Sequence, residues 1–386
     1  MIKVLFFVYS LDGGGAEKAL IDLVENLDKS KYDITIQAFK DEGVYRDAIP
    51  DGVQYRSLLR FKHSFFRKVT SKLLIKLIHP ELIYRLAVRE HYDCEVAFVE
   101  GIATRIIANS SNQKSKKIAW VHCDMSQLTY ALEDYNNAKE QIEAYKRFDH
   151  VVTVSENAVE GFKKGVAPEF DPVVVPNLLN VSNIRQAGLE PADVLPDADT
   201  VELVTVGRLE ESKGFDMLLR VFKRLRDEGL KVHLSVIGEG TERSSLEEYV
   251  THHHLSNDVT LLGFQKNPYK FVSKADIFVC SSLSEGYSLA VAEALILGKE
   301  IVSTRCAGPV ELLKNGEYGM LVDINEEELY RGVKKMIVEA HTREYFACKA
   351  RERSRIFDLE LQLKEVEQLL VPPVFEEDVD ELNVKS

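Results

Sequence analysis

The 386-residue sequence predicts an α/β protein made of two domains, each built on a parallel sheet. Three observations lead to this prediction. The chain is too long for one ordinary domain. Short apolar runs alternate with amphipathic segments, a pattern typical of parallel sheets covered by helices on both faces. The alternation occurs twice, before and after an irregular acidic stretch at residues 183–200.

The first half opens with a βαβ unit. The apolar run KVLFFVYS is followed by GGGAEKALIDLVENLDK and then by YDITIQAF, which predicts a strand, a glycine turn, a helix and a second strand. Four further apolar runs continue the strand pattern, namely CEVAFVE, KIAWVH, HVVTVS and PVVVPN. We assign residues 1–182 to an N-terminal domain.

The second half repeats this plan over residues 183–354. Helical patterns such as FDMLLRVFKRLRDEG and YSLAVAEALILG separate most of its strands. The predicted strands are VELVTVGR, KVHLSVIG, VTLLGF, DIFVCSS, EIVST and MLVD. Residues 373–386 form an acidic tail beyond this domain.

The composition narrows the class of protein. Hydrophobic residues at 45% and charged residues at 29% are typical of a soluble globular chain, and the net charge of −13 disfavours nucleic-acid binding. Five cysteines without a CxxC pair argue against a zinc site or a disulfide framework. No apolar run approaches the ~20 residues of a membrane span, and the first run is too short for a signal sequence. We expect a cytoplasmic protein without a bound metal or other cofactor.

Residues 60–89 form a local basic segment, with eight Lys or Arg and a single acidic residue. Within it Val69, Leu73, Leu77 and Ile78 recur at helical spacing. Two interpretations stay open. The segment is either a helix lying on an anionic membrane surface or a core-packing helix with a solvated basic face. The first interpretation would place the protein peripherally on the inner face of the cell membrane.

The loop LDGGGAEKAL, which follows the first strand, is the first candidate for ligand binding. Its glycines allow the backbone to approach a ligand closely, and the next helix presents free N–H groups to an anion. The loop is not a dinucleotide-binding fingerprint, because Lys18 stands where the third glycine should be. A simple tight turn would also use glycine, so both interpretations remain open.

The stretch VTVGRLEESKGFDMLL is the second candidate. Arg208 and Lys213 follow the strand in one loop, and Gly214 precedes a helix. Two cations at a strand end are suited to bracket a diphosphate. The alternative is a solvated loop with two unrelated charges.

The third candidate, SSLSEGYSLAVAEAL, places Glu285 before Gly286 and Glu293 inside a predicted helix. Gly286 allows a turn, and the helix start at Tyr287 would offer unpaired amides to a phosphate. A carboxylate in this position is suited to accept hydrogen bonds from sugar hydroxyls. The alternative is an ordinary helix with an acidic first turn.

Taken together, these loops resemble a known family. GRLEESKGFD followed by SEGYSLAVAEAL resembles the donor-binding domain of family-four retaining glycosyltransferases of the GT-B fold, including their glutamate–seven residues–glutamate motif. GGGAEKAL, the WVH at Trp120–His122, VSENAVEGF and VPNLLN resemble the acceptor-side domain. The resemblance covers nearly all of residues 1–355. It implies two Rossmann-like domains facing each other across a cleft, with a final helix at about residues 355–372 packing back onto the first.

The resemblance also implies residue roles. Arg208 and Lys213 would hold the diphosphate of a nucleotide sugar, Glu285 would contact the donor sugar and Glu293 the ribose. His122 would lie beside the donor sugar, although a core histidine is the alternative. The implied catalytic set is therefore His122, Arg208, Lys213 and Glu285.

The implied donor-binding set is larger. Gly14 and Gly15 would face the donor phosphate and the acceptor, whereas Gly238, Gly263 and Phe264 would lie near the nucleobase. The full set is Gly14, Gly15, Arg208, Lys213, Gly238, Gly263, Phe264, Glu285, Gly286, Tyr287, Ser288, Leu289 and Glu293.

The implied activity is metal-independent, retaining transfer of a sugar from a nucleotide-sugar donor, expected to be a UDP-sugar. The expected acceptor is a saccharide, lipid-linked, in bacterial cell-surface polysaccharide or glycoconjugate synthesis. The acidic pairs at Asp197–Asp199 and Asp378–Asp380 have metal-binding DxD spacing but lie in acidic, loop-like stretches, so we interpret them as chance. Two alternatives stay open, a nucleotide-sugar epimerase of the same shape and a non-catalytic subunit of a glycosylation complex.

Overall fold

A computed structural model of the chain describes residues 1–60, 75, 77–126, 130–167, 169–192 and 199–372. Two parallel sheets organise this part of the chain, as the sequence predicts. The seven-stranded sheet has the order β3-β2-β1-β4-β5-β6-β7 and consists of β1 Ile2–Val8, β2 Tyr32–Lys40, β3 Val53–Leu59, β4 Cys94–Ala97, β5 Lys116–Val121, β6 His150–Thr153 and β7 Val173–Val174. The six-stranded sheet has the order β10-β9-β8-β11-β12-β13 and consists of β8 Val201–Val206, β9 Val232–Ile237, β10 Val259–Gly263, β11 Ile277–Cys280, β12 Glu300–Thr304 and β13 Met320–Val322.

Helices connect the strands, and most of them cover a face of a sheet. Those of the first half are α1 Gly15–Asn26, α2 Pro80–Ala87, α3 Ile102–Ile107, α4 Tyr130–Glu133, α5 Ala138–Tyr145, α6 Glu156–Gly165 and α7 Val181–Gly188. Those of the second half are α8 Phe215–Asp227, α9 Arg243–His252, α10 Tyr269–Val272, α11 Leu289–Ile296, α12 Ala307–Leu312, α13 Glu326–Val338, α14 Ala340–Arg353 and α15 Leu359–Leu370. Short 3₁₀ helices lie at Val44–Ala48, Glu211–Lys213, Lys314–Gly316 and Ser354–Ile356.

The strand order reverses at an equivalent place in each sheet. In the first sheet the reversal lies between β1 and β4, and in the second between β8 and β11. Connections on either side of such a point leave in opposite directions, which opens a crevice beyond the carboxyl ends of the strands. The loops after β1, β8 and β11 therefore border two crevices, and these are the loops that the sequence analysis singles out.

Strand β3 was not predicted from the sequence. It pairs in parallel with β2, from Val53 opposite Ile34 to Leu59 opposite Lys40, at the edge of the sheet. Most of its residues are only half-buried, because an edge strand packs less fully than a central one. The run VQYRSLL therefore lacks the continuous apolar character by which the inner strands were found.

The two sheets share one apolar core cluster. It joins Phe6 and Leu20 of the first half to Phe278 and Leu289 of the second. The last helix, α15, contributes to the same cluster through residues such as Val366. Polar contacts also tie this helix to the first sheet, since the Lys116 ammonium donates to the carbonyl of Val371 at 2.9 Å.

Residues 183–188, which the sequence analysis took as irregular, belong to helix α7. The Asn180 side chain caps this helix by accepting from the amide of Asn183 at 3.0 Å. Ile184 is buried in the shared core, and the hydroxyl of Ser273 donates to the carbonyl of Gly188. A short helix held by a cap and one buried side chain gives little periodic signal. The division of the chain at residue 182 stays a prediction.

Several sequence features fall outside the described residues. They are residues 61–74 and 76 of the basic segment, the tail 373–386 and, except for Asp199, both DxD-like pairs. Of the basic segment's expected apolar face, Leu77 and Ile78 are described: Leu77 is 72% exposed, whereas Ile78 is partly buried against an apolar core cluster. Across the described ranges, every helix is either too short or too polar to cross a bilayer.

Candidate active site

The loops after β8 and β11 meet because these strands are neighbours in the sheet. The Lys213 ammonium lies 2.6 Å from Oε1 of Glu285, and the Ser282 hydroxyl donates to the same oxygen at 2.9 Å. The carbonyl of Lys213 accepts from the Ser281 hydroxyl at 2.8 Å. A small cavity borders this junction and is lined partly by Lys213, Glu285 and Ser288. The two loops thus form one polar site.

Lys213 carries a positive charge in this site. Burial alone would lower its pKa, but the nearby Glu285 carboxylate outweighs burial, so the pKa of Lys213 lies above its usual value. Arg208 is more open, with its side chain 47% exposed, and it lies 3.2 Å from a carboxylate oxygen of Glu210. Lys213 is therefore fixed by Glu285, whereas Arg208 projects from the same loop toward solvent.

Helix α11 begins two residues later than predicted. Its first residue is Leu289 rather than Tyr287, and Ser288 is the N-cap, with extended backbone angles. The Glu285 carbonyl accepts from the amide of Gly308 at 3.0 Å, which holds the preceding turn against helix α12. The start of α11 still lies near the end of β11, since Ser288 and Ala290 line the small cavity together with Cys280.

Gly286 is needed for close approach. A Cβ on Gly286 would lie 2.9 Å from both the Cα of Cys123 and the carbonyl oxygen of His122. The chain bends at Gly286, as predicted, but its φ is not positive, so close approach rather than a left-handed backbone is what requires glycine here. The carbonyl of Gly286 also accepts from the Ser155 hydroxyl at 2.9 Å. The backbone at Gly286 is therefore a contact between the two halves of the molecule.

His122 follows β5 and faces this contact from the N-terminal half. Both of its ring nitrogens are buried, and neither has a hydrogen-bond partner within the described residues. Its ring lies 4.9 Å from that of Phe98, measured between centroids. Burial lowers the pKa of His122 to about 4, despite an opposing effect of Glu100. The imidazole is consequently neutral near neutral pH and keeps one donor and one acceptor for a ligand.

Glu293 lies one turn into α11, with only 7% of its surface exposed. The Tyr269 hydroxyl donates to its Oε1 at 2.9 Å, and the Lys18 ammonium lies 3.2 Å from the same atom. Burial raises the pKa of Glu293, whereas Lys18 and Tyr269 act against that rise. The pKa of Lys18 is well above its usual value, because the surrounding carboxylates outweigh its burial.

The residues expected near a nucleobase lie at the ends of β9 and β10. Gly238 donates its amide to the carbonyl of Gly263 at 2.9 Å, so the two turns are adjacent. Phe264 follows Gly263 and is partly exposed. Its ring makes an edge contact with that of Tyr45, with centroids 6.2 Å apart. Phe264 is therefore near the N-terminal half as well as the end of β10.

Gly14 and Gly15 start helix α1, as N-cap and first helical residue. A Cβ on Gly15 would lie 3.4 Å from a methyl group of Leu289, so this loop faces the start of α11. A Cβ on Gly14 would collide with the carboxylate of Glu17. Burial raises the pKa of Glu17 to about 7, and the positive charge of Arg208 opposes this rise.

Four residues of this site were not predicted from the sequence. They are Glu17, Lys18, Tyr45 and Tyr269. Glu17 and Lys18 follow the glycine run directly, and charged residues at that point were an available signal. Tyr45 and Tyr269 had no comparable motif, because their importance comes from contacts with distant parts of the chain.

Comparisons with known proteins agree with this geometry. Residues 189–353 match the family model described as glycosyl transferases group 1. The chain is 30% identical over 347 residues to an uncharacterized glycosyltransferase of Methanocaldococcus jannaschii, covering 78% of this chain and 82% of that protein. The chain belongs to the glycosyl transferases group 1 family.

Two further similarities extend over nearly the whole glycosyltransferase. It is 26% identical over 374 residues to the N-acetylgalactosamine-N,N'-diacetylbacillosaminyl-diphospho-undecaprenol 4-alpha-N-acetylgalactosaminyltransferase of Campylobacter jejuni, covering 93% of this chain and 96% of that one. It also superposes on Anabaena HepE, solved in complex with UDP and glucose, with a TM-score of 0.72 and 20% identity. That alignment covers 96% of this chain and 99% of HepE. The GT-B fold predicted from the resemblance is thus confirmed.

Proposed function

We propose that this glycosyltransferase transfers a sugar, with retention of configuration and without a divalent metal, from a UDP-sugar to a lipid-linked saccharide. The observation that carries the proposal is the convergence of two loops at the β8–β11 switch point. There Lys213 contacts Glu285 at 2.6 Å, and Arg208 projects from the Lys213 loop. Two cations and a carboxylate are thus combined at the place where ligands of such sheets usually bind.

The charges suit departure of a nucleoside diphosphate. As the bond between sugar and phosphate breaks, negative charge grows on the leaving diphosphate. Lys213 and Arg208 would stabilise that charge, together with the amides that begin helix α11. Lys213 and the amides of the helix start are held in place before the reaction begins, so they need little reorganisation. This is the basis for proposing a metal-independent reaction.

Glu285 would position the donor sugar by accepting hydrogen bonds from its hydroxyls. One of its oxygens already receives contacts from Lys213 and Ser282, which orient the carboxylate. A carboxylate held in this way by a cation is a weak nucleophile, so we favour positioning over covalent catalysis. Glu293 would accept from the ribose, and the neutral imidazole of His122 would contact the donor sugar.

Similarity supports the donor and acceptor classes. HepE was solved with UDP, and the Campylobacter relative is named for a diphospho-undecaprenol-linked substrate. We propose the same classes for this chain, in bacterial cell-surface polysaccharide or glycoconjugate synthesis at the inner face of the membrane.

A hydrolysis screen of UDP- and GDP-sugars tests the proposal. A transferase slowly releases nucleoside diphosphate, whereas an epimerase interconverts the sugars and a non-catalytic subunit does neither.

With the active donor, Arg208→Ala or Lys213→Ala should lower turnover at least about a hundredfold, since one preorganised donor to developing charge is worth about 3–4 kcal/mol. Lys231→Ala, at an exposed lysine of the same half, is the matched control. A loss of about tenfold or less in a folded variant would rule out the leaving-group role.

Two further measurements address the finer parts of the proposal. Nuclear magnetic resonance of the product should show the anomeric configuration of the donor, and inversion would contradict a retaining reaction. Turnover should survive treatment with EDTA. Activity that EDTA abolishes and manganese restores would contradict metal independence.

A further inference from the structure

The side of the site assigned to the nucleoside is bordered by residues from the N-terminal half. Lys18 of helix α1 lies 3.2 Å from Oε1 of Glu293, and its ammonium is 5.9 Å from the centre of the Tyr269 ring. The Tyr269 hydroxyl donates to that same carboxylate oxygen. Glu293 is thus held jointly by a cation from one half of the molecule and a phenol from the other.

A second contact crosses between the halves beside it. Tyr45 lies in the 3₁₀ helix that follows β2, and its amide donates to the carbonyl of Leu11 at 3.1 Å. Its ring meets that of Phe264 at 81° in an edge contact. Burial raises the pKa of Tyr45 to about 12, so the phenol stays neutral. Phe264 therefore has an aromatic contact with the N-terminal half.

The positions of these contacts indicate whether Lys18 and Tyr45 would support a bound nucleotide or compete with it. Lys18 and Tyr269 both use Oε1 of Glu293. A ribose hydroxyl donating to the other oxygen would leave both contacts in place. In the same way, an edge contact at Phe264 leaves a face of that ring for a base. Neither contact has to break when a nucleotide enters.

We propose that Lys18 and Tyr45 form a clamp from the N-terminal half that positions the nucleoside-binding residues of the C-terminal half. Lys18 keeps the Glu293 carboxylate ionised and oriented, and Tyr45 holds Phe264 against the base. Because each contact joins the two halves, nucleotide binding and closure of the cleft stabilise each other. The inference rests on the proposed function, since it assumes a nucleotide-sugar donor. Both clamp residues act through other side chains and are positioning residues.

The proposal predicts a pH dependence. Four groups face the buried carboxylate of Glu293, namely Lys18 and Asp22 on α1, Tyr45, and Tyr269 on α10. Lys18 supplies the positive charge among them. Without it, burial and Asp22 would favour the protonated acid, which cannot accept from two hydroxyls as a carboxylate does. Loss of Lys18 should therefore weaken nucleotide binding most in mildly acidic solution and least in mildly alkaline solution.

Calorimetric titration with UDP and with GDP tests the clamp. Relative to wild type, Lys18→Met should bind about tenfold more weakly near pH 6.5, with a smaller deficit near pH 8.5, because an ionised hydrogen bond is worth more than about 1.4 kcal/mol. Because both proteins are compared at the same pH, the effect of phosphate titration on the measured affinity cancels. Lys18→Arg should restore most of the affinity. Lys31→Met is the matched control, because Lys31 pairs at 3.7 Å with Glu367 of the last helix, at another junction of the two halves.

Tyr45 is tested by two substitutions. Tyr45→Phe keeps the ring and should bind like wild type, whereas Tyr45→Leu should bind several-fold more weakly at every pH. Melting temperatures identify variants that fail to fold, and for such variants the Arg and Phe replacements carry the test.

Different outcomes separate the clamp from the proposed function. If wild type binds UDP or GDP and Lys18→Met binds equally well across the pH range, the clamp is wrong. Tighter binding by Lys18→Met would show that Lys18 competes with the donor, which also overturns it. If wild type binds neither nucleotide and releases none from nucleotide sugars, the proposed function itself fails.

Discussion

The imidazole of His122 is unusual at the residue scale, because it is buried without a hydrogen-bond partner among the described residues. Leaving such polar atoms unsatisfied costs folding free energy. Residues that break a packing rule in this way are typical of functional sites, where a ligand supplies the missing partners. The close backbone contact at Gly286 involves the His122 carbonyl itself, so the imidazole borders the junction at which the donor sugar is proposed to bind.

His122 should make the protein sensitive to acid. Its folded pKa of about 4 lies below the unfolded value of about 6.5, so the unfolded chain binds the extra proton between these values. The stability due to the neutral ring is complete above about pH 6.5 and falls by roughly 3 kcal/mol as the pH approaches 4. His122→Gln removes this titration. Melting temperatures across this range should therefore fall more steeply for wild type than for the variant, and parallel curves would contradict the prediction.

Lys18 and Glu285 show which residues of the site a sequence can reveal. Glu285 was predictable because a short motif contains it, and its partner Lys213 belongs to another motif in a neighbouring loop. Lys18 was noticed as a departure from a glycine pattern, yet its partner Glu293 is distant in the chain. Periodicity and spacing predict local structure, whereas contacts between two domains depend on how the folded halves meet.

At the scale of elements, the loops after β8 and β11 are joined by their backbones. The amide of Leu283 donates to the carbonyl of Ser212 at 2.8 Å. Gly214 begins helix α8 with a φ of +62°, and a Cβ there would lie 2.4 Å from the carbonyl oxygen of Ser281. The turn thus requires glycine for its backbone angles and also for the approach of the neighbouring loop.

Comparing Gly214 with Gly229 separates the requirement for a positive φ from the requirement for close approach of a neighbouring loop. Gly229 has a φ of +84°, and a Cβ there would meet no described atom within 4 Å. Gly229→Ala should cost about 1 kcal/mol from backbone strain alone. Gly214→Ala should cost more, because the loops must also separate, and it should weaken nucleotide binding through displacement of Lys213. Denaturant unfolding and UDP or GDP titration measure both effects. Equal costs with unchanged binding would show that the loop contact is unimportant.

The limits of prediction at this scale have physical causes. Inner strands were found because both faces are buried and their sequences are continuously apolar. The edge strand β3 has mixed composition, since part of it stays exposed. The start of α11 was misplaced by two residues because Tyr287 and Ser288 are compatible with helix, and the extended conformation of Ser288 is imposed by the turn packed on helix α12.

At the scale of the whole molecule, contacts between the halves surround the candidate site. Ser155 donates to Gly286, and the side-chain amide of Asn157 donates to the Glu311 carboxylate at 3.1 Å. Lys18 and Tyr45 add the nucleoside-side contacts. These contacts join the halves at several places. Disrupting any one of them should therefore alter closure of the cleft, and with it the affinity for the proposed donor.

A different face of the N-terminal half carries exposed leucines. Leu77 is 72% exposed, and Leu82 and Leu86 on helix α2 are 52% and 50% exposed. Leu82 and Leu86 are four residues apart and so share one side of the helix. They belong to the basic segment at residues 60–89, where eight cations accompany one acidic residue. Exposed leucines within a segment whose sequence is rich in cations are features of a surface that rests on anionic lipid.

If this face contacts the membrane on which a lipid-linked acceptor resides, the glycosyltransferase should float with vesicles containing phosphatidylglycerol and not with vesicles of phosphatidylcholine alone. The double variant Leu82→Ser and Leu86→Ser should lower the bound fraction severalfold, because about 0.8 kcal/mol is lost for each buried methylene. Leu361→Ser is the matched control, since Leu361 is 58% exposed on helix α15, outside the basic segment. Added salt should weaken binding of the wild type by screening its cations. Equal flotation with both lipids, or equal binding by all variants, would show that the leucines and cations serve the fold alone.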